Sequence, residues 1–260
     1  MLRNRLIFGL IYNEGCFMQS RNFRLQRVGD INWLEKNYKF QKISFSMDEL
    51  LVVDATRKEK NIDKFSETIS RLVEDVFIPV TAGGGIRSID DAEKLFNSGA
   101  DKVLLNTPLY ENEMLAKQII ARYGAQSLIA SVDYKIIEHE PIVYIKDGTV
   151  SVPVAMEDYL KRLERLGVGE ILFNSIEKDG TGFGYDIPNI TKYANSVNVP
   201  FIILGGAGNG AHLNDGLNVE GVSGVATANL FNFIGNGLPK AREFMLNEGA
   251  NLARWDNADF

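Results

Sequence analysis

Ile78-Pro79-Val80-Thr81-Ala82-Gly83-Gly84-Gly85-Ile86-Arg87 decides the fold of this chain. The apolar run has the length of a buried strand, the glycines form a turn, and Ser88 stands where a helix would be capped. Val199-Pro200-Phe201-Ile202-Ile203-Leu204-Gly205-Gly206-Ala207-Gly208 writes the pattern again, and Gly83 to Gly205 is 205 − 83 = 122 residues. Lacking a Cβ, the glycines let backbone N–H groups come close to a ligand, and the helix behind them turns its positive end to the same place. Each turn is therefore expected to seat a phosphate. One such turn alone would be read as a tight connection; two at matching positions make that reading the weaker one.

Outward from these two turns, short apolar runs alternate with longer amphipathic segments. Strands are expected at 5–10, 49–53, 79–82, 102–105, 128–132, 170–173, 201–204 and 224–226. Helices are expected near 31–37, 63–76, 89–97, 113–123, 156–166, 187–195, 211–218 and 238–247. Eight strand–helix units in this order predict an α/β chain whose parallel strands close into a (β/α)8 barrel with no exposed sheet edge. Glu49-Leu50-Leu51-Val52-Val53-Asp54 lies over Glu170-Ile171-Leu172-Phe173-Asn174-Ser175, and the stretch 99–106 over 221–229. The offsets run from 170 − 49 = 121 to 229 − 106 = 123, a constancy that a duplicated half-barrel explains. The chain is thus expected to be one barrel domain, 1–260, made of half-barrels at about 1–124 and 125–260.

Two connections are longer than turns. Residues 11–30 run through a polar stretch expected to be a lid or a disordered segment, and 134–151 contains Asp147-Gly148, the mark of a β-hairpin. A net charge of −6 argues against a general nucleic-acid binder, since that affinity comes from a Lys/Arg surplus. The single cysteine, Cys16, allows no internal disulfide, and no apolar run reaches the roughly 18 residues of a membrane span. A cytoplasmic protein without membrane contact is expected, with neither metal nor cofactor.

At the mouth of the barrel the first seat would be Gly84, Gly85, Asn106 and Thr107. The second would be Gly205, Gly206, Ala228 and Asn229, helped by the turn Asp179-Gly180-Thr181. A long ligand with a phosphate at each end fits that layout. Strand 5, Leu128-Ile129-Ala130-Ser131-Val132-Asp133, delivers a carboxylate between the seats, so Asp133 is the expected proton-handling group. Asp54 is a second acid, with loop bonding as its expected role. The position matching Asp133 in the first half is Ile11, which cannot complete an acid/base pair.

With these features in hand, the chain resembles the HisF cyclase subunits of imidazole glycerol phosphate synthase over nearly its whole length. The resemblance rests on Val80-Thr81-Ala82-Gly83-Gly84-Gly85-Ile86, Asn106-Thr107, Gly169-Glu170-Ile171-Leu172, Asp179-Gly180-Thr181 and Gly205-Gly206-Ala207-Gly208. It implies a bis-phosphorylated ribulosyl imidazole-carboxamide as ligand and a glutaminase partner that sends ammonia through the barrel. It also implies a charged gate at the barrel floor, which here reads Arg5, Glu49, Lys102 and Glu170. Two departures stand out: Ile11 replaces the expected aspartate on strand 1, and Gln19 replaces a phosphate-binding lysine. Losing one member of an acid/base pair costs roughly two to four orders of magnitude in rate. Such variants resemble a branch serving acetamidino-sugar synthesis for surface polysaccharides, with a further amidotransferase as partner, and the loop 23–30 is similar to that branch. Two alternatives accompany this expectation: a working histidine-pathway cyclase using a substitute acid such as Glu14, and a non-catalytic scaffold that activates the glutaminase.

Overall fold

The computed structural model describes residues 3–254. In chain order its strands are β1 (Arg5–Asn13), β2 (Cys16–Arg21), β3 (Arg24–Gly29), β4 (Glu49–Asp54), β5 (Val80–Gly83), β6 (Lys102–Leu105), β7 (Leu128–Ile137), β8 (Glu140–Ile145), β9 (Val150–Ser151), β10 (Glu170–Ser175), β11 (Phe201–Leu204) and β12 (Val222–Thr227). Eight of them pair in parallel around a closed ring, β1 with β4, then β5, β6, β7, β10, β11, β12 and back to β1. Helices separate consecutive barrel strands, so the architecture is the expected (β/α)8 TIM barrel. The two glycine turns follow β5 and β11, the third and seventh barrel strands, which places them across the ring from each other.

Alternation along each strand sorts the side chains into two cores. Leu6, Phe8, Leu10, Val52 and Phe173 point outward and are buried against the helices. Ile7, Leu51, Leu104, Ile129, Leu172, Ile202 and Ala226 point inward and fill the middle of the barrel as a separate apolar layer. Each such side chain contributes about 1.5–3 kcal/mol on burial. The same alternation puts Arg5, Glu49, Lys102 and Glu170 one step below that layer, Ser131 and Asn174 one step above it, and Asp133 a further step toward the mouth. The helix after the first glycine turn, Ile89–Asn97, starts as expected: the Ser88 hydroxyl accepts from the Asp91 N–H, and the Asp91 carboxylate accepts from the Ser88 N–H.

The expected lid or disordered segment at 11–30 is instead regular sheet. β1 continues to Asn13 and pairs antiparallel with β2, which pairs with β3. The turn joining them, Asn22-Phe23, has positive φ at both residues, 51° and 61°. Such values are unfavourable for Phe. They are held by three bonds: Asn22 N–H to the Asp179 carbonyl (2.9 Å), Phe23 N–H to Asp179 Oδ2 (3.0 Å), and Arg57 to the Phe23 carbonyl (2.5 Å). The hairpin at Asp147-Gly148 is present, joining β8 to β9. β7 runs past its expected end to Ile137 and forms a second hairpin with β8, turning at Glu138-His139 with positive φ at both residues. Among the described residues no helix is long and apolar enough to cross a membrane.

Candidate functional site

The carboxyl ends of the barrel strands surround a cavity of about 560 Å³. Gly84, Gly85, Asn106 and Thr107 all line it. Packing alone requires glycine at Gly84 (φ +91°), because a Cβ there would lie 2.1 Å from the Asp54 carbonyl oxygen. The Asn106 amide donates to the Ser131 and Tyr144 carbonyls (3.1 and 3.2 Å), which ties the loop after β6 to β7 and β8. The Thr107 hydroxyl accepts from the Lys146 N–H at 3.0 Å. Around this seat stand four cations that motif reading passed over: Arg57, Lys60, Arg87 and Lys146. Lys60 donates to the Asp54 carbonyl (2.5 Å) and lies over Gly85. The basic run Arg57-Lys58-Glu59-Lys60 was the available signal, but Lys146 arrives from a different hairpin.

The second seat is built differently. Gly205 and Gly206 have φ of +98° and +115°, and Gly206 packs on Gly184, whose N–H donates to the Gly206 carbonyl at 2.9 Å. Asp179 and Ala228 line the cavity, whereas Gly180, Thr181, Gly205, Gly206 and Asn229 are not among its lining residues. Asp179 is committed to the β2–β3 hairpin: its Oδ2 accepts from Ser20 Oγ (2.5 Å) and from the Phe23 N–H. Burial raises its pKa, partly offset by those two donors. Thr181 donates its hydroxyl to the Lys178 carbonyl at 2.8 Å. Gln19 accepts the Leu230 N–H at 2.9 Å, and Tyr38 donates its hydroxyl to the Leu230 carbonyl, so both polar groups of that residue are spoken for.

Asp133 sits between the seats, 8 % exposed, at the cavity wall. Burial pushes its pKa up from 3.8 to about 6, against the pull of hydrogen bonds from Asn174 Nδ2 (2.9 Å) and Ser131 Oγ (3.2 Å). A carboxyl poised near neutrality can exchange a proton with a bound ligand. Ile11 also lines the cavity and supplies no second acid, while Asp54 accepts the Thr56 N–H at 2.9 Å and serves its own loop. Glu14 lies at the exposed β1–β2 turn beside Lys58, 3.6 Å away, and is not a lining residue. Asn174 was not singled out from the sequence. Its Oδ1 is buried with no hydrogen-bond partner among the described residues, which costs free energy.

At the opposite end of the barrel the four basal charges form a closed ring. Arg5 bridges Glu49 (3.1 Å) and Glu170 (2.6 Å), and Lys102 bridges the same two carboxylates at 3.0 and 2.6 Å. Thr81 adds a hydroxyl donor to Glu49 at 2.5 Å. Burial on its own would raise Glu170, but the hydrogen bond and charge of Arg5, followed by Lys102, hold its pKa below the usual carboxylate range. Along β10, Glu170, Leu172 and Asn174 follow one another on the inward face, linking floor, apolar layer and mouth.

The family of histidine biosynthesis proteins matches residues 20–235 of the chain. A protein of Parasynechococcus marenigrum (strain WH8102), named "Putative imidazole glycerol phosphate synthase subunit hisF2", is 42% identical over 98% of this chain and 95% of its own length. Imidazole glycerol phosphate synthase subunits HisF from Pyrobaculum aerophilum and Sulfurisphaera tokodaii are 34% and 33% identical, over 92% and 97% of this chain and 92% and 99% of their own lengths. A closed eight-stranded barrel with glycine turns after its third and seventh strands, an acid on its fifth, and this degree of identity end to end place the chain in the HisF family of imidazole glycerol phosphate synthase subunits.

Proposed function

We propose that this chain is the synthase-type subunit of a glutamine-dependent complex. A glutaminase subunit releases ammonia at the barrel floor. The ammonia passes the ring of Arg5, Glu49, Lys102 and Glu170, crosses the apolar layer and meets a phosphorylated acceptor at the mouth, where Asp133 handles the proton. The observation that carries this reading is the inward face of β10, on which Glu170, Leu172 and Asn174 succeed one another from the charged ring to the amide that holds Asp133. The reading treats the chain as one barrel domain of two half-barrels, and the glycine turns four barrel strands apart support it.

Ile11 and Gln19 favour a nitrogen transfer other than the histidine-pathway ring closure, in nucleotide-sugar metabolism for surface polysaccharides with a further amidotransferase. The 42% identity to a relative carrying the hisF2 name, against 32–34% to those named HisF, agrees with a separate branch. The names of the HisF relatives favour the second reading, a true histidine-pathway subunit. Turnover of the ribulosyl imidazole-carboxamide bisphosphate by this chain purified with its glutaminase decides between them. Absent or trace turnover is expected; robust turnover overturns the first reading and establishes the second.

A further inference from the structure

Large apolar side chains exposed singly are ordinary on a protein surface, but three of them stand on touching loops beside the mouth of this barrel. Phe183, in the loop after β10, is 80 % exposed, and Phe231 and Ile234, in the loop after β12, are 50 % and 40 % exposed. None of the three lines the cavity. The two loops meet where a Cβ on Gly182 would lie 3.7 Å from Asn232 Nδ2, which itself donates to the Gly208 carbonyl at 3.0 Å. The β2–β3 hairpin is tied to both loops: Gln19 Oε1 accepts the Leu230 N–H (2.9 Å), and the Asn22 N–H donates to the Asp179 carbonyl (2.9 Å). Hairpin tip and loops therefore form one continuous face at the carboxyl end of the strands.

The charge of that face is opposite in sign to that of the whole chain, which is −6. Residues 180–185 and 229–237 contain no charged side chain, and within 19–25 the charged residues are Arg21 and Arg24. Both arginines are exposed and stand directly opposite each other in the hairpin register. Their neighbours Ser20 and Leu25 line the cavity, so by alternation Arg21 and Arg24 point away from it. The acids beside the hairpin tip are engaged elsewhere: Asp179 accepts from Ser20 and Phe23, and Glu177 Oε2 accepts the Ile136 N–H at 3.2 Å. Like charges directly opposite one another destabilise a strand pair, and an anionic surface laid on the tip removes that cost. Side chains this exposed do not enclose a small molecule, whereas arginine beside aromatic residues is the composition of the energetic centre of a protein interface. A second copy meeting about a two-fold axis would bring two arginine pairs into one interface, and the glutaminase proposed at the floor lies at the other end of the strands.

We infer that Arg21, Arg24, Phe183, Phe231 and Ile234 form the docking face for a further protein subunit, one with an acidic rim around an apolar pocket, which continues the nitrogen transfer from the mouth. This rests on the reading of the mouth as the end where nitrogen is delivered, and it says where the further amidotransferase sits and what chemistry its surface presents.

The photocrosslinker p-benzoylphenylalanine, placed at Phe183 of the full chain in the cells that naturally make it, should crosslink to one protein that mass spectrometry identifies as an acidic amidotransferase. The same probe at Phe77, 77 % exposed just before β5 at the opposite end of the barrel, should not reach that protein. Once purified, the crosslinked protein should bind the chain with an affinity that falls with added salt, and that falls at least tenfold in Phe183→Ser and at least tenfold in Arg24→Glu. Arg24→Glu sets an acid opposite Arg21, which favours the hairpin, so binding lost in that variant reports on docking and not on folding. Crosslinks from Phe183 only to a second copy, to the glutaminase or to nucleic acid, no crosslink, a protein reached equally from Phe77, or binding indifferent to both substitutions would overturn the inference. Glutamine-driven turnover by the chain with its glutaminase is measured apart. Turnover that persists with no crosslink overturns the docking face alone, and turnover that is absent with the crosslink intact counts against the nitrogen route alone.

Discussion

Replacing Asp133 by Asn should make the protein more stable at neutral pH while removing the group proposed above to handle the proton. In the folded chain burial holds the carboxyl near 6, whereas in the unfolded chain it titrates near 3.8. A raised acid contributes stability that is complete below 3.8 and is lost as pH rises through about 6, because ionisation then occurs in a buried site. The gap of about 2.2 pH units corresponds to about 3 kcal/mol at pH 8 and about 1.6 kcal/mol at pH 5, with each unit worth about 1.4 kcal/mol. Asn is nearly the same shape, and its carbonyl oxygen still accepts from Asn174 and Ser131, so the substitution removes the charge and leaves the packing. Urea unfolding of both proteins between pH 5 and pH 8 measures the difference directly. The variant should gain on the parent by roughly 1.4 kcal/mol across that range, levelling off above pH 7. A difference independent of pH, or a variant less stable at pH 8, would refute the claim that burial of an ionisable Asp133 is what the mouth sustains.

Gly84→Ala should cost about 2 kcal/mol or more and abolish phosphate binding, since its Cβ would lie 2.1 Å from a backbone oxygen at φ +91°. Gly15→Ala, at φ +86° with nothing within 4 Å, should cost about 1 kcal/mol; equal losses in chemical denaturation would contradict the packing argument. Glu49→Ala should destabilise the barrel by about 3 kcal/mol, because it leaves Arg5 and Lys102 sharing Glu170 and strands the Thr81 hydroxyl; a change below about 1 kcal/mol by urea titration would mean the ring is stabilised mainly by water. Ile11→Asp restores an acid across the mouth from Asp133 and should raise ammonium-dependent turnover of the histidine-pathway bisphosphate about a hundredfold. No rise would show that more than one carboxylate separates this chain from that reaction.

The order of the barrel strands, the two glycine turns and the acid at the end of the fifth barrel strand are legible in the sequence because each depends on local chemistry, barrel closure follows from the count of repeated units, and the basal charges are picked out by the family resemblance alone, since charges at strand starts otherwise read as solvating the barrel floor. Period-two apolar runs, glycines without a Cβ, and a polar residue at a strand's first or last position carry their meaning within a few residues. The β2–β3 hairpin was not legible. Its strand Arg24-Leu25-Gln26-Arg27-Val28-Gly29 is largely polar, and its turn places Phe23 at positive φ, a conformation that only Asp179 and Arg57, distant in the chain, make tolerable. The cluster of cations around the first glycine turn was hidden for the same reason. A duplicated sequence predicts like ends, but Lys60 and Lys146 gather at one of them from separate loops, and Gln19 closes a donor at the other. The proton affinity of Asp133 is likewise a property of what surrounds it, since a carboxyl written in the sequence has no burial until the barrel closes around it.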